Sequence, residues 1–395
     1  MEVVSMGNKI GSVFEYAKKN QVTYVDAAEK PNKKNNASTT WDTYESIMVK
    51  FEKWLQDEKG LKDITRAKPQ HGVEYMQIMM TKHENGEKGG SAYTISKFPH
   101  ALHAMQNLAK ESGVYRGLKL GNKKDLLDMK NSAGIIRKSG ESTALKATTE
   151  DFEKVQSEIY RSKSPQKETI GEIHQVQRGV GCRIHEAVKL KKGDITFHGD
   201  DRATIFIKGK GGLERWVEVR DHTTVELLRE KTDGKKDGAL VFQVKDRNGN
   251  DKNKSNSINQ TQDVVSAAAD RAGVNRDEKT YNTHSARKVF AQERMNEYAS
   301  MSMKQLEKEL ARRIRNYPAD KDGNNKLKSK VRNELQILRN KIHLTIPGKR
   351  TKEEGMEKRK NREFTHKEMC TFLVSVDTGH FRLSVMRFYC DYPKK

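Results

Sequence analysis

The sequence predicts a mainly α-helical protein with a small β-hairpin, built from two domains and carrying an inserted helical hairpin. Three observations predict this fold class. Apolar residues recur at spacings of three and four along most of the chain, which is typical of amphipathic helices. One Gly-rich turn is flanked by β-rich sequence on both sides, and a segment without periodicity separates two groups of helices. The length of 395 residues is sufficient for two domains of ordinary size.

The N-terminal part predicts a tail followed by a helical domain. Residues 1–37 are polar and end in "EKPNKKNNAS", a composition that indicates a tail and linker with one short helical candidate at 13–18. Residues 38–135 predict a small all-helical domain. Its first helix has apolar residues four, three and four apart, namely Tyr44, Met48, Phe51 and Leu55.

The second domain is predicted over 148–395, after a linker at 136–147. The linker lies in "NSAGIIRKSGESTALKA", which is rich in Gly, Ser and Lys. The segment "TTEDFEKV" then opens a helix, because a capping Thr precedes acidic first-turn residues that suit the positive end of the helix dipole. Farther on, "ATIFIKGKGGLERWVEV" predicts a hairpin with Lys210 at its tip.

Residues 301–363 form a basic segment inside the second domain. They contain 19 Lys and Arg and nine Asp and Glu, a net charge of +10. A turn, "YPADKDGNN", separates two apolar stripes and so predicts an antiparallel helical hairpin. The stripes consist of Met303, Leu306, Leu310 and Ile314, and of Leu327, Val331, Leu335, Leu338 and Ile342.

The global charge points to a polyanionic partner. The chain carries 76 Lys and Arg against 54 Asp and Glu, a net charge of +22 that attracts polyanions. Nucleic acid is favoured over an anionic membrane as the partner, because no basic amphipathic helix of the membrane-binding type is evident in the sequence. No apolar stretch has the length of a membrane span, and no signal peptide is evident. Three cysteines without metal-site spacing indicate a reducing cytosol and no structural metal.

Five local patterns carry candidate site residues, and each has an ordinary structural explanation. "GCRIHEAVKLKKGDI" contains Arg183 and Glu186, which could be a helix-end ion pair. "IKGKGGLER" contains Lys210, with Lys208 as the alternative lysine, and either could be a solvated turn residue. "THSARK", "TGHF" and "RFYC" contain the remaining candidates, for which a structural histidine or a packing tyrosine is the alternative role: His284, Arg287, His380 and Tyr389.

Taken in order, these patterns resemble the tyrosine recombinase/integrase family. "GCRIHEAVKLKKGDI" resembles the family's Arg box, "GKGG-x-x-R" its β-hairpin lysine, and "HSAR" its His-x-x-Arg. The nine-residue interval from the second His to the Tyr is also similar. The likeness covers roughly 148–300 and 364–390, whereas 38–135 is similar to the family's core-binding domain in pattern only. The resemblance implies six catalytic residues: Arg183, Lys210, His284, Arg287, His380 and Tyr389.

The resemblance implies a site-specific DNA recombinase, such as the integrase of a mobile element. Tyr389 would be the nucleophile that forms a 3′-phosphotyrosyl link. Leu383, Met386 and Tyr389 recur at helical spacing, so a short helix is predicted to carry Tyr389, with His380 capping its start. No cofactor or metal is implied. The implied partners are double-stranded DNA and three further copies in a tetramer on two duplexes, with room for an accessory DNA-bending protein. The implied location is the cytoplasm, on the nucleoid.

Two other functions stay open: a type IB topoisomerase-like enzyme that relaxes DNA, and a catalytically silent DNA-binding regulator. The sequence also departs from the family pattern. "HSARK" lacks the usual Leu before the Arg and the common His after it. The 93 residues from Arg287 to His380 exceed the interval in compact members. The basic segment 301–363 is therefore interpreted as an insertion, expected to contact DNA or a neighbouring protomer unless it is a solvated decoration.

Overall fold

The computed structural model confirms a mainly helical chain with one small sheet. It describes residues 6–20, 22, 38–87, 89–115, 117–135, 143–209, 214–246, 248–319, 323–345 and 362–393. The chain divides into two compact units, Met1–Ser139 and Gly140–Lys395. Within the described residues, no helix combines the length and the apolar character required to cross a bilayer.

In the part of the first unit that the structure describes there are five α-helices: α1 (Met6–Lys19), α2 (Ser38–Lys59), α3 (Pro69–Glu84), α4 (Ala92–Glu111) and α5 (Lys123–Ser132). An aromatic cluster lies at its centre, where the rings of Phe51, Tyr75 and Phe98 are 5.2–5.4 Å apart between centroids. Such tilted and edge-to-face pairs add to the free energy gained by burying the rings.

Helix α1 corrects the prediction that 1–37 is a tail and linker. Its side chains Ile10, Val13, Phe14 and Ala17 are fully buried in the core of the first unit. They recur three, one and three residues apart, which places them on one helical face. The short helical candidate at 13–18 is therefore part of a longer helix that belongs to the core of the first unit and not to a tail. Residues 23–37 lie outside the described residues.

The second unit contains nine helices among its described residues, together with a three-stranded antiparallel sheet. The sheet has the order β1 (Ile195–Phe197), β2 (Ala203–Lys208), β3 (Glu214–Val219). The helices are α6 (Thr149–Tyr160), α7 (Lys167–Val180), α8 (Ile184–Ala187), α9 (His222–Thr232), α10 (Lys254–Ala272), α11 (Thr283–Ala299), α12 (Met303–Asn316), α13 (Lys326–Thr345) and α14 (His366–Asp377). The predicted Thr cap is confirmed at Thr148, whose hydroxyl accepts from the Asp151 amide.

The predicted linker 136–147 ends earlier than expected. Residues 136–142 lie outside the described residues, but Leu145 and Ala147 are buried in the core cluster of α6 and α10. The Leu145 amide donates to the Thr280 carbonyl at 2.9 Å, and the Thr280 amide donates to Thr143. Paired backbone and buried side chains place 143–147 in the second unit.

The two helices predicted in the insertion are present as α12 and α13. Their stripes pack into the core cluster that also contains Phe372 and Phe381: Leu306, Leu310 and Leu327 are buried, and Val331 and Leu335 are half-buried against the cluster. The described helices of the insertion are therefore part of the core of the second unit and do not form a solvated decoration. Residues 320–322 and 346–361 lie outside the described residues.

A buried histidine in α7 predicts a measurable dependence of stability on pH. His174 is 0% exposed, with its ring nitrogens 2.6 Å from Gln156 Oε1 and 2.9 Å from the Tyr281 hydroxyl. Burial lowers the pKa of His174 to about 3. In the unfolded chain this pKa is about 6.5. The unfolded state therefore binds a proton between these values that the folded state does not, and folding stability falls as the pH falls below 6.5.

Between pH 7 and pH 5, this single group is expected to reduce the free energy of unfolding by on the order of 2 kcal/mol. His174→Gln, which does not titrate, should show a pH dependence smaller by that amount. Urea unfolding of both proteins at the two pH values measures it. Equal pH dependence in both proteins would contradict the assignment, whatever the stability cost of the substitution itself.

Candidate active site

A left-handed glycine sets the position of the first candidate arginine. Gly181 ends α7 with φ +63°, and a Cβ at this position would lie 2.2 Å from the Phe290 ring. A side chain is therefore excluded both by backbone conformation and by space. Two residues later, Arg183 is the N-cap of α8, and its amide donates to Glu186 Oε2 at 2.8 Å.

The carboxylate of Glu186 is the hub of an arginine cluster. Arg183 Nη1 donates to its Oε1 at 3.0 Å, and Arg215 Nη2 donates to its Oε2 at 2.8 Å. Arg287 Nη1 lies 3.7 Å from the same Oε2. Burial alone raises the pKa of Glu186, but Arg215 and Arg287 hold it well below its ordinary value. One buried anion therefore holds three guanidinium groups together, as a buried charge requires partners.

Arg287 lies on α11 and is 0% exposed. Its Nη1 donates to the Gly181 carbonyl at 2.7 Å and its Nη2 donates to the Thr378 carbonyl. Burial, with the nearby charge of Arg183, lowers the pKa of Arg287 to about 9, so the guanidinium stays charged at neutral pH. Of five guanidinium N–H groups, two are used by these bonds.

His284 and Tyr389 are in direct contact. His284, one turn before Arg287 on α11, has its Nε2 2.7 Å from the Tyr389 hydroxyl. The two rings are 5.2 Å apart between centroids and nearly perpendicular. Burial and the charge of Arg287 lower the pKa of His284 to about 3. The imidazole is therefore neutral at neutral pH and can accept the phenolic proton at Nε2.

His380 lies in the turn that follows α14. The turn requires Gly379, with φ +67°, because a Cβ would lie 2.9 Å from Arg215 Cδ. His380 Nδ1 is 3.1 Å from Thr378 Oγ1, and its Nε2 is 3.4 Å from Arg183 Nη2. Since Arg183 can only donate, Nε2 is the acceptor and Nδ1 carries the proton. Burial and the charges of Arg287 and Arg183 lower the pKa of His380 to about 2.

The predicted helix that carries Tyr389 is not present. Met386–Phe388 form a single 3-10 turn, and Tyr389 ends it, with its amide donating to the Met386 carbonyl at 2.8 Å. His380 therefore does not cap a helix that bears the tyrosine. The Tyr389 ring is instead held 4.6 Å from the His380 ring and 5.7 Å from the Arg287 guanidinium carbon.

Five of the six predicted side chains lie together. Contacts run from Arg183 through His380 to Tyr389, and from Tyr389 to both His284 and Arg287. The sixth, Lys210, lies outside the described residues. In the sequence it lies between strand β2, which ends at Lys208, and strand β3, which begins at Glu214.

Arg215 also belongs to the arginine cluster, although the sequence patterns assign it no role. It lies on β3 and is 2% exposed, with its Nε donating to the Asp377 carbonyl at 3.2 Å. A signal for it exists in "ERWVEV", because Arg215 alternates with Val217 and Val219 and so lies on the buried face of the strand. A buried arginine requires an anion, and Glu186 is that anion.

Comparison with known proteins finds a family match within the second unit. Residues 148–311 match the profile of the phage integrase family. This segment is a phage integrase domain. The matched segment contains Arg183, Lys210, His284 and Arg287 of the six candidates and ends inside α12. No curated protein matched the chain.

Three site-specific recombinases and integrases are among the solved structures similar to this chain. The XerH site-specific recombinase bound to palindromic difH substrate is 18% identical, over 75% of this chain and 87% of that chain, with a TM-score of 0.43. Lambda integrase bound to DNA is 11% identical, over 71% and 85%, with a TM-score of 0.41. The Tn1549 transposon integrase in complex with circular intermediate DNA is 17% identical, over 75% and 90%, with a TM-score of 0.39.

Proposed function

We propose that this chain is a site-specific tyrosine recombinase, the integrase of a mobile element, that cuts and rejoins DNA through a 3′-phosphotyrosyl intermediate. The observation that carries the proposal is the 2.7 Å contact of the Tyr389 hydroxyl with His284, beside Arg183 and Arg287. A phenol beside a general base and two planar guanidinium groups provides the functional groups required for phosphodiester transesterification.

In the proposed cleavage step, the Tyr389 oxygen attacks phosphorus and its proton passes to His284 Nε2. The phosphorus–O5′ bond breaks, and Lys210 on the hairpin protonates the departing 5′-oxygen. The phosphate stays bonded to the 3′ end of the DNA and to Tyr389. Attack by the 5′-hydroxyl of a partner strand reverses the step and releases the tyrosine, so the phosphodiester bond energy is conserved.

Arg183 and Arg287 stabilise the charge that develops on the two non-bridging oxygens. Each preorganised donor contributes about 3–4 kcal/mol in a site of this kind. His380, held by Arg183 and Thr378, adds a donor or acceptor beside the tyrosine ring. Because the guanidinium groups supply the positive charge, the proposed step uses no metal ion and no cofactor.

Phosphate binding is expected to change the proton affinity of His284. The positive charges of Arg287, Lys288 and Arg183 contribute to its low pKa. An anionic phosphate between the arginines offsets that repulsion, and so raises the pKa of His284 toward its ordinary value. DNA binding thereby makes His284 a better base at the moment when Tyr389 must lose its proton.

The proposed partners are duplex DNA and further copies of the same chain. A net charge of +22 supports binding mainly to phosphates, with a steep dependence on salt. Strand exchange between two duplexes requires four active sites, so we propose a tetramer, to which an accessory DNA-bending protein can be added.

A plasmid assay tests this function against a DNA-relaxing enzyme and a silent regulator. The substrate is a supercoiled plasmid with two copies of a candidate core site, defined as an inverted repeat around a short spacer and sought in the DNA that borders the gene. We expect deletion or inversion products that depend on both copies. A ladder of relaxed plasmids without strand exchange would instead indicate a topoisomerase. Binding without any broken strand would indicate a regulator.

A further inference from the structure

We propose that the described part of the inserted segment, α12, α13 and Tyr317, positions the turn that carries His380 and leads to Tyr389, with Glu334 as the main positioning residue. The proposal rests on the proposed function, since it concerns the same site. Three contacts from α12, α13 and the residues between them reach residues 377–383, the stretch that contains His380.

The first contact is a buried ion pair at the end of α14. Arg313 on α12 has its Nη1 2.9 Å from Asp377 Oδ1, and Asp377 Oδ2 accepts from the Tyr298 hydroxyl at 2.7 Å. The Asp377 carbonyl in turn accepts from Arg215, and the next carbonyl, that of Thr378, accepts from Arg287. The insertion thus fixes the point at which α14 joins the arginine cluster.

The second contact is made to a residue with an unusual backbone conformation. Phe381 has φ +54° without being a glycine, and a left-handed conformation is unfavourable for a residue with a side chain. Its buried ring packs edge to face with Tyr317 at 6.1 Å between centroids. The Tyr317 hydroxyl donates to the Glu214 carbonyl at the start of β3. Tyr317 therefore contacts both the turn beside His380 and the hairpin strand that follows Lys210.

The third contact is the most direct. Glu334 on α13 is 7% exposed, and its Oε2 accepts from the Leu383 amide at 3.0 Å. The Leu383 carbonyl accepts from Met386, and the Met386 carbonyl accepts from Tyr389. A charged acceptor on the insertion therefore begins a chain of backbone hydrogen bonds that ends at the proposed nucleophile.

We expect loss of this chain of hydrogen bonds to lower the rate of DNA cleavage more than the affinity for DNA. Hydrogen bonds to a carboxylate are stronger than neutral ones, and loss of this acceptor leaves the Leu383 amide without its partner. The turn then gains freedom, and small displacements of a reacting group lower the rate strongly. Glu334 touches no reacting atom, so it acts only through the turn.

The test compares Glu334→Ala, Glu334→Gln and the control Glu307→Gln, an exposed glutamate on α12. Hydrogen exchange over 380–390 is measured first, without DNA. We expect faster exchange in Glu334→Ala, a smaller increase in Glu334→Gln, whose amide oxygen can still accept, and no change in the control. Wild-type exchange over 380–390 in Glu334→Ala would overturn the proposal, and this readout does not require that the protein be a recombinase.

Cleavage of a nicked duplex that carries the candidate core site of the plasmid assay provides the second readout, under single-turnover conditions with saturating DNA. We expect Glu334→Ala to lower the cleavage rate about tenfold or more with unchanged DNA affinity, and Glu334→Gln to recover part of it. Equal losses in rate and affinity, or no recovery with Gln, would contradict a positioning role. If wild-type protein forms no adduct, the proposed function fails while the exchange result still decides this inference.

Discussion

Tyr389→Phe is expected to lower the rate of DNA strand cleavage by at least about 10⁴-fold, because removing a nucleophile removes the covalent route itself. The substitution deletes only the hydroxyl that contacts His284 at 2.7 Å. The ring contacts with His380 and Arg287 are retained, so folding and DNA binding should change little. Gel detection of protein–DNA adducts on a nicked duplex measures the effect.

The matched control is Tyr392→Phe, three residues farther along the chain. The hydroxyl of Tyr392 is 2.9 Å from His366 Nδ1 and has no contact with the arginine cluster among the described residues. This variant should form adducts at nearly the wild-type rate. An equal loss of adducts in both variants would mean that the C-terminal segment, and not the hydroxyl of Tyr389, had been disturbed.

Arg183→Ala is expected to lower the cleavage rate about 10²- to 10³-fold, because one preorganised donor to the developing charge is lost. The variant should still fold. The Arg183 side chain is 22% exposed, and Glu186 keeps Arg215 and Arg287 as partners. The rate of adduct formation at saturating DNA, together with the unfolding midpoint, separates the chemical effect from any loss of stability.

Arg183→Lys gives a sharper comparison. Lysine keeps the charge but presents one compact ammonium group in place of a planar fork. It should recover DNA affinity more fully than cleavage rate. A lysine variant as active as wild type would show that charge alone is required at this position. Arg287 is less suitable for this comparison, because it is fully buried and its substitution leaves the carbonyls of Gly181 and Thr378 without their donor.

Much of the site could be predicted because its residues lie in short local patterns. Arg183, His284, Arg287, His380 and Tyr389 were named from sequence order, and the fold brings their side chains together. Their shared location could not come from periodicity, which describes one element at a time. It came from the resemblance, which the phage integrase domain at 148–311 supports.

The helix predicted for Tyr389 was wrong for a definable reason. Leu383, Met386 and Tyr389 are spaced three apart, and a spacing of three fits a 3-10 turn as well as an α-helical face. Nothing local in the sequence indicates that Phe381 adopts a left-handed conformation. That conformation depends on tertiary neighbours, among them Tyr317 from the insertion.

The insertion, too, could be predicted from the sequence only in part. The apolar stripes of 301–363 predicted two helices correctly, but a stripe does not identify the surface that covers it. The structure places these stripes against the core that contains Phe372 and Phe381. Glu334 is a single acidic residue in a basic helix, and its role as an acceptor for the Leu383 amide depends on a contact across 49 residues of sequence.

The central claim is tested most directly by mass-spectrometric mapping of the covalent protein–DNA adduct. Wild-type protein is trapped on a nicked duplex that carries the candidate core site, digested with protease and nuclease, and sequenced as peptides. We predict a 3′-linked nucleotide on Tyr389. A nucleotide on any other side chain, or strand cleavage without a covalent link, would contradict the account.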